Sequence, residues 1–325
     1  MAPPAVIQLL THPDMRAHGA PGHPERADRL DAVAAGVADA AAELGAELQR
    51  PAVGPAPDGA LELIHPAWYV AALEEAEAAG SGWIDYDTFL APGSMRAARL
   101  AAGATLAAAL ATARGDAAVA FAVVRPPGHH ASEERSAGFC LLNNVAVAAA
   151  GLRAAGVAQR IAIIDWDVHH GDGTQAIFDA DPDLCYASTH QSPFYPGTGS
   201  SAEQGSGPAA GTKHNLPLPA GSGDREFSDA WLVQLLPAVE AFRPEAILVS
   251  AGFDAHRDDP LASLRVTEAG YGAVATALGE LAARLGLPGV ALTLEGGYDL
   301  AALRASSAAA VRGLCIGVRG PRAVS

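Results

Sequence analysis

The feature that most constrains this chain is a regular alternation of short apolar runs with longer segments of helix-forming residues. Six runs of five to seven residues, rich in Ala, Val, Ile and Leu, occupy residues 6–10, 118–124, 160–165, 184–189, 245–250 and 289–294. Continuous apolar runs are typical of strands buried on both faces, as in a parallel sheet. The segments between them favour helices over 24–50, 92–114, 140–155, 225–242, 267–286 and 299–313. This alternation predicts an α/β fold.

The chain shows no internal repeat and no linker between halves of different composition, so we predict one domain over residues 1–325. Half of the residues are hydrophobic and 18% are charged, which permits a large core and argues against disorder. Two segments rich in Gly, Pro and Ser, 51–59 and 196–211, are predicted to be surface loops.

Five of the predicted strands lead directly into polar, titratable residues. The segments that follow them are RPPGHHA (125–131), DWDVHHGDG (165–173), THQ (189–191), SAGFDAHRDD (250–259) and EGGYD (295–299). In open α/β sheets, ligands bind at the carboxyl ends of the strands. These segments therefore predict the rim of a functional site.

Charge, cysteine content and hydropathy exclude several classes of function. A net charge of −15, with 21 Lys and Arg, argues against a surface that binds duplex nucleic acid. Three scattered cysteines form no disulfide framework. The N-terminus lacks signal-peptide features, and the Ala/Leu stretch 100–113 is shorter than the roughly 18 residues of a spanning helix. We expect a cytoplasmic protein without a membrane or nucleic-acid partner, and homo-oligomerisation is left open.

Asp167 and His169 are two positions apart, so in extended backbone they project to one face and can contact the same ion. Carboxylate and imidazole together suit zinc and other divalent metals. Asp254, at the end of another predicted strand, is the candidate third ligand. Taken alone, an Asp-x-His at a strand end is more often an ordinary polar terminus.

The adjacent histidines His129 and His130 follow a stiff Pro-Pro-Gly approach. They could form a second metal site, a proton-transfer pair or two unrelated loop residues, and imidazole suits acid and base chemistry near neutral pH. Asp165 and Asp172 are candidate partners that would orient the two rings. An N-cap of the following helix is an equally good interpretation of Asp172. His170 is expected to point away and to pack behind the site.

Tyr298 follows two glycines, which let the backbone approach a substrate closely. A phenol remains protonated at neutral pH and can donate to a developing oxyanion. Without the other residues it would be interpreted as an ordinary half-buried tyrosine.

Taken together, several motifs resemble the histone deacetylase family, in its zinc-dependent class II-like branch. They are HPERADRL (23–30), RPPGHHA, GFCLLNNVAVAA (138–149), IDWDVHHGDGTQ (164–175), FYPGTG (194–199), SAGFDAHRDDPL (250–261) and LEGGYDL (294–300). They occur in the family's order and run from about residue 12 to residue 300.

The resemblance implies an arginase/deacetylase-type α/β domain around a parallel sheet of about eight strands. It implies that Asp167, His169 and Asp254 bind Zn²⁺. It also implies that His129 and His130 are the family's tandem histidines, with Asp165 behind the first and Asp172 behind the second. Tyr298 matches the tyrosine that polarises the substrate carbonyl. The residues that match the lining of an acyl-lysine tunnel are Gly138, Phe139 and Tyr195. Asp87 matches, more loosely, a rim aspartate that holds the substrate backbone.

The family also carries monovalent-cation sites, usually for potassium. Asp165 and Ser188 fall at one of them, which the backbone carbonyls of Asp167, His169 and Thr189 would complete. Phe178 would contribute to a second site.

The resemblance implies an amidohydrolase that acts on acylated lysine in peptides or proteins, or on an acylated small amine. Relatives that cleave acetylated polyamines carry an acidic residue seven positions beyond the third metal ligand, where this chain has Leu261. This favours acyl-lysine. Two other classes remain: an inactive acyl-lysine binding protein, against which Tyr298 and the tandem histidines argue, and a binuclear manganese hydrolase of the arginase type, which would bind two metals per chain.

Overall fold

The computed structural model describes residues 4–319. Eight strands form the main sheet: β1 (Val6–Leu10), β2 (Glu47–Gln49), β5 (Val119–Ala122), β6 (Ile161–Asp165), β7 (Leu184–Gln191), β8 (Lys213–Leu218), β9 (Ala246–Ala251) and β10 (Val290–Leu294). A separate short hairpin consists of β3 (Gly82–Trp83) and β4 (Phe89–Leu90). All pairings in the main sheet are parallel, in the order β2-β1-β5-β10-β9-β6-β7-β8.

Helices flank this sheet. They are α1 (Asp28–Leu44), α2 (Asp58–Leu61), α3 (Ala67–Ala78), α4 (Ser94–Arg114), α5 (Asn144–Ala154), α6 (Asp172–Phe178), α7 (Asp224–Asp229), α8 (Leu236–Phe242), α9 (Glu268–Arg284) and α10 (Leu300–Arg319). Helices α1, α9 and α10 pack together, as do α4 and α5, and both groups contact the sheet. The predicted fold, a single α/β domain with a parallel sheet of about eight strands, is confirmed.

All six apolar runs are strands, and the two strands that hydropathy missed are the edges of the sheet. In β2 no residue is buried, and in β8 three of the six positions are only half-buried, among them Pro217. Edge strands are covered incompletely and tolerate proline, so neither carries a continuous apolar run. The prediction of helix over 24–50 was wrong at its C-terminal end, because α1 ends at Leu44 before β2 begins.

The predicted helix over 225–242 is interrupted. A π-helical turn, Ala230–Leu235, separates α7 from α8, and Pro237 lies in the first turn of α8. Cys140, Cys185 and Cys315 are buried and unpaired, as the lack of a disulfide framework predicted.

Among residues 4–319, α10 is long and apolar enough to cross a bilayer by length and composition. However, 61% of that stretch is buried inside the protein, where it packs on α1 and α9. A core helix of a globular domain has the same character.

The strands that end in polar residues are neighbours in the sheet. β5, β10, β9, β6 and β7 are consecutive in the strand order, and at the carboxyl end of β6 Asp165 is paired in register with Ser250 of β9 and Ser188 of β7. Because the strands are parallel, the loops that follow them converge at one edge of the sheet.

Candidate active site

Three ligand-type side chains converge at this edge. Asp167 and His169 follow β6 and Asp254 follows β9, and one ligand atom of each lies within 4.8 Å of the others. His169 Nδ1 is 3.0 Å from Asp167 Oδ1 and 3.3 Å from Asp254 Oδ2. The two aspartates are fully buried, and the side chain of His169 is 14% exposed, so the cluster has an open side.

Backbone donors fix one oxygen of each aspartate. Gly296 N donates to Asp167 Oδ2 at 2.7 Å, and Val168 N donates to Asp254 Oδ1 at 2.8 Å. Asp254 Oδ2 is buried and has no hydrogen-bond partner among the described residues. A buried carboxylate oxygen without a partner is costly, and a cation at this point would satisfy it.

Two glycines leave room for these carboxylates. A Cβ at Gly296 would lie 2.0 Å from Asp254 Oδ2, and a Cβ at Gly252 would lie 2.0 Å from Asp167 Oδ2. Because both contacts involve constrained carboxylates, no larger residue fits at either position without moving the cluster.

The electrostatics of the cluster favour a cation. Burial raises the pKa of Asp254, and the charge of Asp167 adds to this effect. For Asp167 burial acts in the same direction, but the positive charge of His129 and the hydrogen bond from His169 outweigh it and lower the pKa. Burial lowers the pKa of His169, yet the two aspartates raise it to about 10. Two carboxylates are thus buried close together, and a divalent ion would neutralise the charge of both.

The tandem histidines lie beside this cluster on the loop after β5. Their ring centres are 4.0 Å apart, and His130 is 5.8 Å from the ring of His169. Nδ1 of His129 donates to Asp165 Oδ2 at 3.1 Å, and Nδ1 of His130 donates to Asp172 Oδ1 at 2.7 Å. The two predicted histidine–carboxylate pairs are therefore both present in the structure.

Asp172 is the first residue of α6, and the N-cap position belongs to Gly171. The N-cap interpretation of Asp172 was therefore wrong, since its carboxylate faces His130. His170 points away from the cluster, as expected, and hydrogen-bonds Thr198 and Gln175.

The two imidazoles differ in their charge preference. For His129, burial disfavours the cation, but Asp167 and Asp165 outweigh burial and raise the pKa well above its ordinary value. For His130, burial and the adjacent His129 lower the pKa to about 3 despite the hydrogen bond to Asp172. His130 is thus the neutral member of the pair.

Tyr298 is 8% exposed and lies on the loop between β10 and α10. Its backbone N donates to Asp259 Oδ2 at 2.8 Å, and the guanidinium of Arg29 lies 5.1 Å from its ring centre. Burial, followed by the nearby charge of Asp254, raises its pKa well above 10, so the hydroxyl remains protonated. The ring faces that of Phe139 at 6.0 Å.

The residues assigned to the tunnel surround these groups. Gly138 and Phe139 both have positive φ, and a Cβ at Gly138 would lie 2.3 Å from the His130 ring. The ring of Tyr195 is 5.1 Å from that of His130. Asp87 Oδ1 accepts a hydrogen bond from Gly138 N at 3.2 Å, which brings the loosely matched aspartate to the same place.

Leu261 lies in the loop after β9 and is 37% exposed. Its backbone N donates to Asp259 Oδ1, while the other oxygen of Asp259 accepts from Tyr298 N. Asp259 thereby fixes Leu261 beside the segment that carries Tyr298. Sequence reasoning had not assigned a role to Asp259.

The residues assigned to monovalent cations also lie near β6 and β7. Asp165 Oδ2 accepts from Tyr186 as well as His129, and Ser188 Oγ is 3.0 Å from His190 Nδ1. Thr189 Oγ1 accepts a hydrogen bond from Trp231 Nε1. The carbonyl of Phe178, at the end of α6, accepts a hydrogen bond from Asp181 N.

A buried charged network, which the sequence analysis missed, supports the loop that carries Tyr298. Glu25 is hydrogen-bonded to both Arg29 and Arg125, and all three are essentially inaccessible. Arg29 donates to the carbonyls of Gly297 and Glu295. The sequence did mark these residues, because Glu25 and Arg29 lie in the motif HPERADRL and Arg125 is the first residue of RPPGHHA.

Glu295 is a second missed residue. Its Oε2 accepts hydrogen bonds from the backbone N of Gly128 at 2.6 Å and of His129 at 3.1 Å, and Oε1 accepts from Ser250 Oγ. Burial raises its pKa to about 7, although His129 and the Gly128 N–H oppose this. Glu295 therefore ties the loop of the tandem histidines to the end of β10.

Several known proteins are similar to this chain over most of its length. The model of the histone deacetylase domain matches residues 23–314. A probable deacetylase of Methanothermobacter thermautotrophicus is 41% identical over 94% of this chain and 90% of its own length. Histone deacetylase 15 of Arabidopsis thaliana is 41% identical over 94% of this chain, which spans only 55% of that longer protein.

Among solved structures, the acetylpolyamine aminohydrolase of Burkholderia pseudomallei superimposes with a TM-score of 0.84. It is 30% identical, and the match covers 95% of this chain and 98% of that one. The family model covers most of the chain and the fold agrees over nearly its whole length. The chain therefore belongs to the histone deacetylase family and is related to deacetylases and amidohydrolases, which hydrolyse amide bonds.

Proposed function

We propose that the chain is a zinc-dependent amidohydrolase that removes acetyl or other acyl groups from lysine side chains. The observation that carries this proposal is the cluster of Asp167, His169 and Asp254, in which the buried Oδ2 of Asp254 makes no regular hydrogen bond and lies 3.3 Å from His169 Nδ1. A buried carboxylate oxygen in this position is costly, and a metal ion bound by the cluster would satisfy it.

The donor set fits zinc. One imidazole and two carboxylates are ligands that Zn²⁺ accepts, and three protein ligands with an open position are typical of catalytic sites. Held by Asp167, His169 and Asp254, zinc would act as a Lewis acid that makes a water more acidic and polarises the substrate amide.

His130 is the proposed general base. Because its Nδ1–H donates to Asp172, its Nε2 carries the free lone pair. The ring is buried, neutral and beside the metal cluster, so Nε2 takes the proton of the attacking water. Asp172 fixes the tautomer and the ring orientation.

Tyr298 supplies the second element of the mechanism. Its hydroxyl stays protonated and donates a hydrogen bond to the substrate carbonyl oxygen, where negative charge develops during attack. Collapse of the tetrahedral intermediate breaks the C–N bond, and a proton from the histidine pair passes to the leaving amine. The products are a free amine and a carboxylate.

The substrate proposed first is acyl-lysine in a peptide or protein. Leu261 is apolar and partly exposed beside the Tyr298 loop, where an acidic residue would favour a second cationic amine. The second candidate is an acylated polyamine or other small amine. The structural similarity to an acetylpolyamine aminohydrolase supports it.

A potassium ion is proposed at the ends of β6 and β7, with Asp165, Ser188 and the carbonyl of Thr189 as ligands. Asp165 and Ser188 are paired in register there, and Asp165 also holds His129. An ion at this place would stabilise the carboxylate that orients His129.

The test is deacylation of a matched substrate panel by metal-quantified protein. An acetyl-lysine peptide and acetylspermidine are compared with and without a chelator, and Tyr298→Phe serves as the control for adventitious hydrolase. Chelator-sensitive release of acetate from the peptide, lost in the variant, is expected. Faster turnover of acetylspermidine would favour the second candidate, and binding without turnover would identify an acyl-lysine binding protein instead.

A further inference from the structure

Lys213 is the only lysine among the 325 residues, whereas the chain has 20 arginines. It opens β8 and is fully buried. A long cationic side chain is rarely inaccessible unless it is paired. A protein that otherwise uses arginine as its basic residue thus keeps one lysine, in its interior.

The Lys213 ammonium contacts three neutral oxygens. Nζ donates to the carbonyl of Leu184 at 2.8 Å, to the carbonyl of Asp181 at 3.2 Å and to Thr212 Oγ1 at 2.7 Å. Within residues 4–319 no carboxylate lies within ion-pair distance of it. We call these three oxygens, two carbonyls and one hydroxyl, the carbonyl cradle.

The neighbouring charged groups are engaged elsewhere. The carboxylate of Asp181 pairs with Arg153 and accepts from Asp183 N, so only its backbone carbonyl turns to the lysine. Cys185 is buried, which raises the pKa of its thiol to about 12 and keeps it neutral. Burial lowers the pKa of Lys213 to about 8, and the charges of the nearby aspartates Asp181 and Asp179 oppose this.

Oxygen dipoles that converge on a buried point charge resemble the way in which proteins bind a dehydrated monovalent cation. One member of the cradle, Asp181, lies in the turn between α6 and β7, where its backbone N donates to the carbonyl of Phe178. That is where the family resemblance implies a second potassium ion. The residues present do not fit a free ion there, because an ammonium group already takes the cradle oxygens.

We propose that Lys213 is a tethered monovalent cation: its ammonium replaces a bound potassium ion in the carbonyl cradle formed by Asp181, Leu184 and Thr212. Ammonium and potassium both act as compact single charges, whereas the planar guanidinium of arginine demands a different donor geometry. The carbonyl cradle therefore fits the ammonium of a lysine better than the guanidinium of an arginine.

The tether joins two parts of the sheet edge. Lys213 is paired in register with Tyr186 of β7, and its ammonium binds the turn that precedes β7. Tyr186 in turn donates to Asp165, the partner of His129. The cation therefore supports the strand that carries one side of the candidate active site, without contacting it.

The test compares Lys213→Ala, which empties the cradle, with Lys213→Met, which removes the charge but fills the space. Thermal unfolding is measured in KCl and in choline chloride at equal ionic strength, and Arg114→Ala controls for loss of one exposed positive charge. We expect both lysine variants to unfold about 3–10 °C below the wild type in choline chloride. Potassium should restore at least half of the loss in Lys213→Ala, and none in Lys213→Met.

Ion binding gives a second readout that does not depend on activity. Equilibrium dialysis with thallium(I) nitrate, a potassium mimic, should show one more ion per chain in Lys213→Ala than in the wild type. Equal thallium binding, or an Lys213→Ala transition that responds to potassium no more than the wild type does, would overturn the proposal.

If the variants do not fold, the wild type can still test the burial of the ammonium on which the proposal depends. Because Lys213 is unique, acylation of its amine in the native protein can be followed by mass spectrometry without interference from another lysine. Protection of at least about 100-fold relative to the unfolded chain is expected for a fully buried ammonium. Labelling at the unfolded rate would refute the tethered cation.

Discussion

Replacing Glu25 by glutamine should remove the part of the acid-induced loss of stability that comes from protonation of Glu25 in the buried charged network. Burial alone would raise the pKa of Glu25, but Arg125 and Arg29 outweigh it and lower the pKa from 4.5 to about 2. One pKa unit corresponds to about 1.4 kcal/mol, so this shift is equivalent to about 3 kcal/mol of the free energy of unfolding.

The sign of the pH dependence follows from the lowered pKa. The folded protein holds Glu25 ionised more strongly than the unfolded chain does, so its contribution is complete above about pH 4.5 and is lost as the pH falls towards 2. Glu25→Gln should lack this loss. At pH 7 the variant should be less stable by about 3–5 kcal/mol, because Arg29 and Arg125 remain buried without their shared anion.

The assay is urea-induced unfolding, followed by tryptophan fluorescence, at pH values between 2 and 7. Asp39→Asn, which removes the exposed partner of Arg304, is the matched control and should leave the acid profile unchanged. Burial lowers the pKa of His18 from 6.5 to about 4. The stability that neutral His18 contributes is therefore lost as the pH falls from about 6.5 to 4, mostly above the pH range in which Glu25 acts. The reasoning would be refuted by a Glu25→Gln variant that unfolds at the wild-type urea concentration at pH 7 and loses stability below pH 4.5 as steeply as the wild type.

Three further predictions concern the candidate active site. Tyr298→Phe should lower kcat about 10²–10³-fold with little change in Tm, since the ring packing is kept; a kcat within threefold of the wild type would contradict the oxyanion role. Gly296→Ala, whose Cβ would lie 2.0 Å from the Asp254 carboxylate, should abolish stoichiometric metal binding measured by elemental analysis, whereas the exposed loop variant Gly54→Ala should bind metal normally. Asp172→Asn should lower kcat about 10–100-fold at nearly constant KM, and an unchanged kcat would show that the second tandem histidine needs no carboxylate partner.

The sequence was sufficient for the parts of the fold and site that depend on local pattern. Apolar runs located the buried strands, and the polar residues after five of them predicted one shared edge, where Asp167, His169 and Asp254 meet. The edge strands β2 and β8 were not predicted, because a strand that the rest of the protein covers only in part needs no continuous apolar run.

Residues that act through long-range contacts could not be assigned from spacing. Arg29 reaches the carbonyls of Gly297 and Glu295 across more than 260 positions of sequence. Glu295 reaches the backbone of Gly128 across 167 positions. Both residues stand in motifs that the resemblance picks out, but their spacing does not reveal their partners, which depend on what the fold places opposite them.

The central claim is that Asp167, His169 and Asp254 bind a single divalent ion. It is tested most directly by crystals of the purified protein measured on both sides of the zinc absorption edge. The account predicts one anomalous peak per chain, in contact with these three side chains and within reach of Tyr298 and His130. Two peaks at this site, or a single peak at other residues, would contradict it.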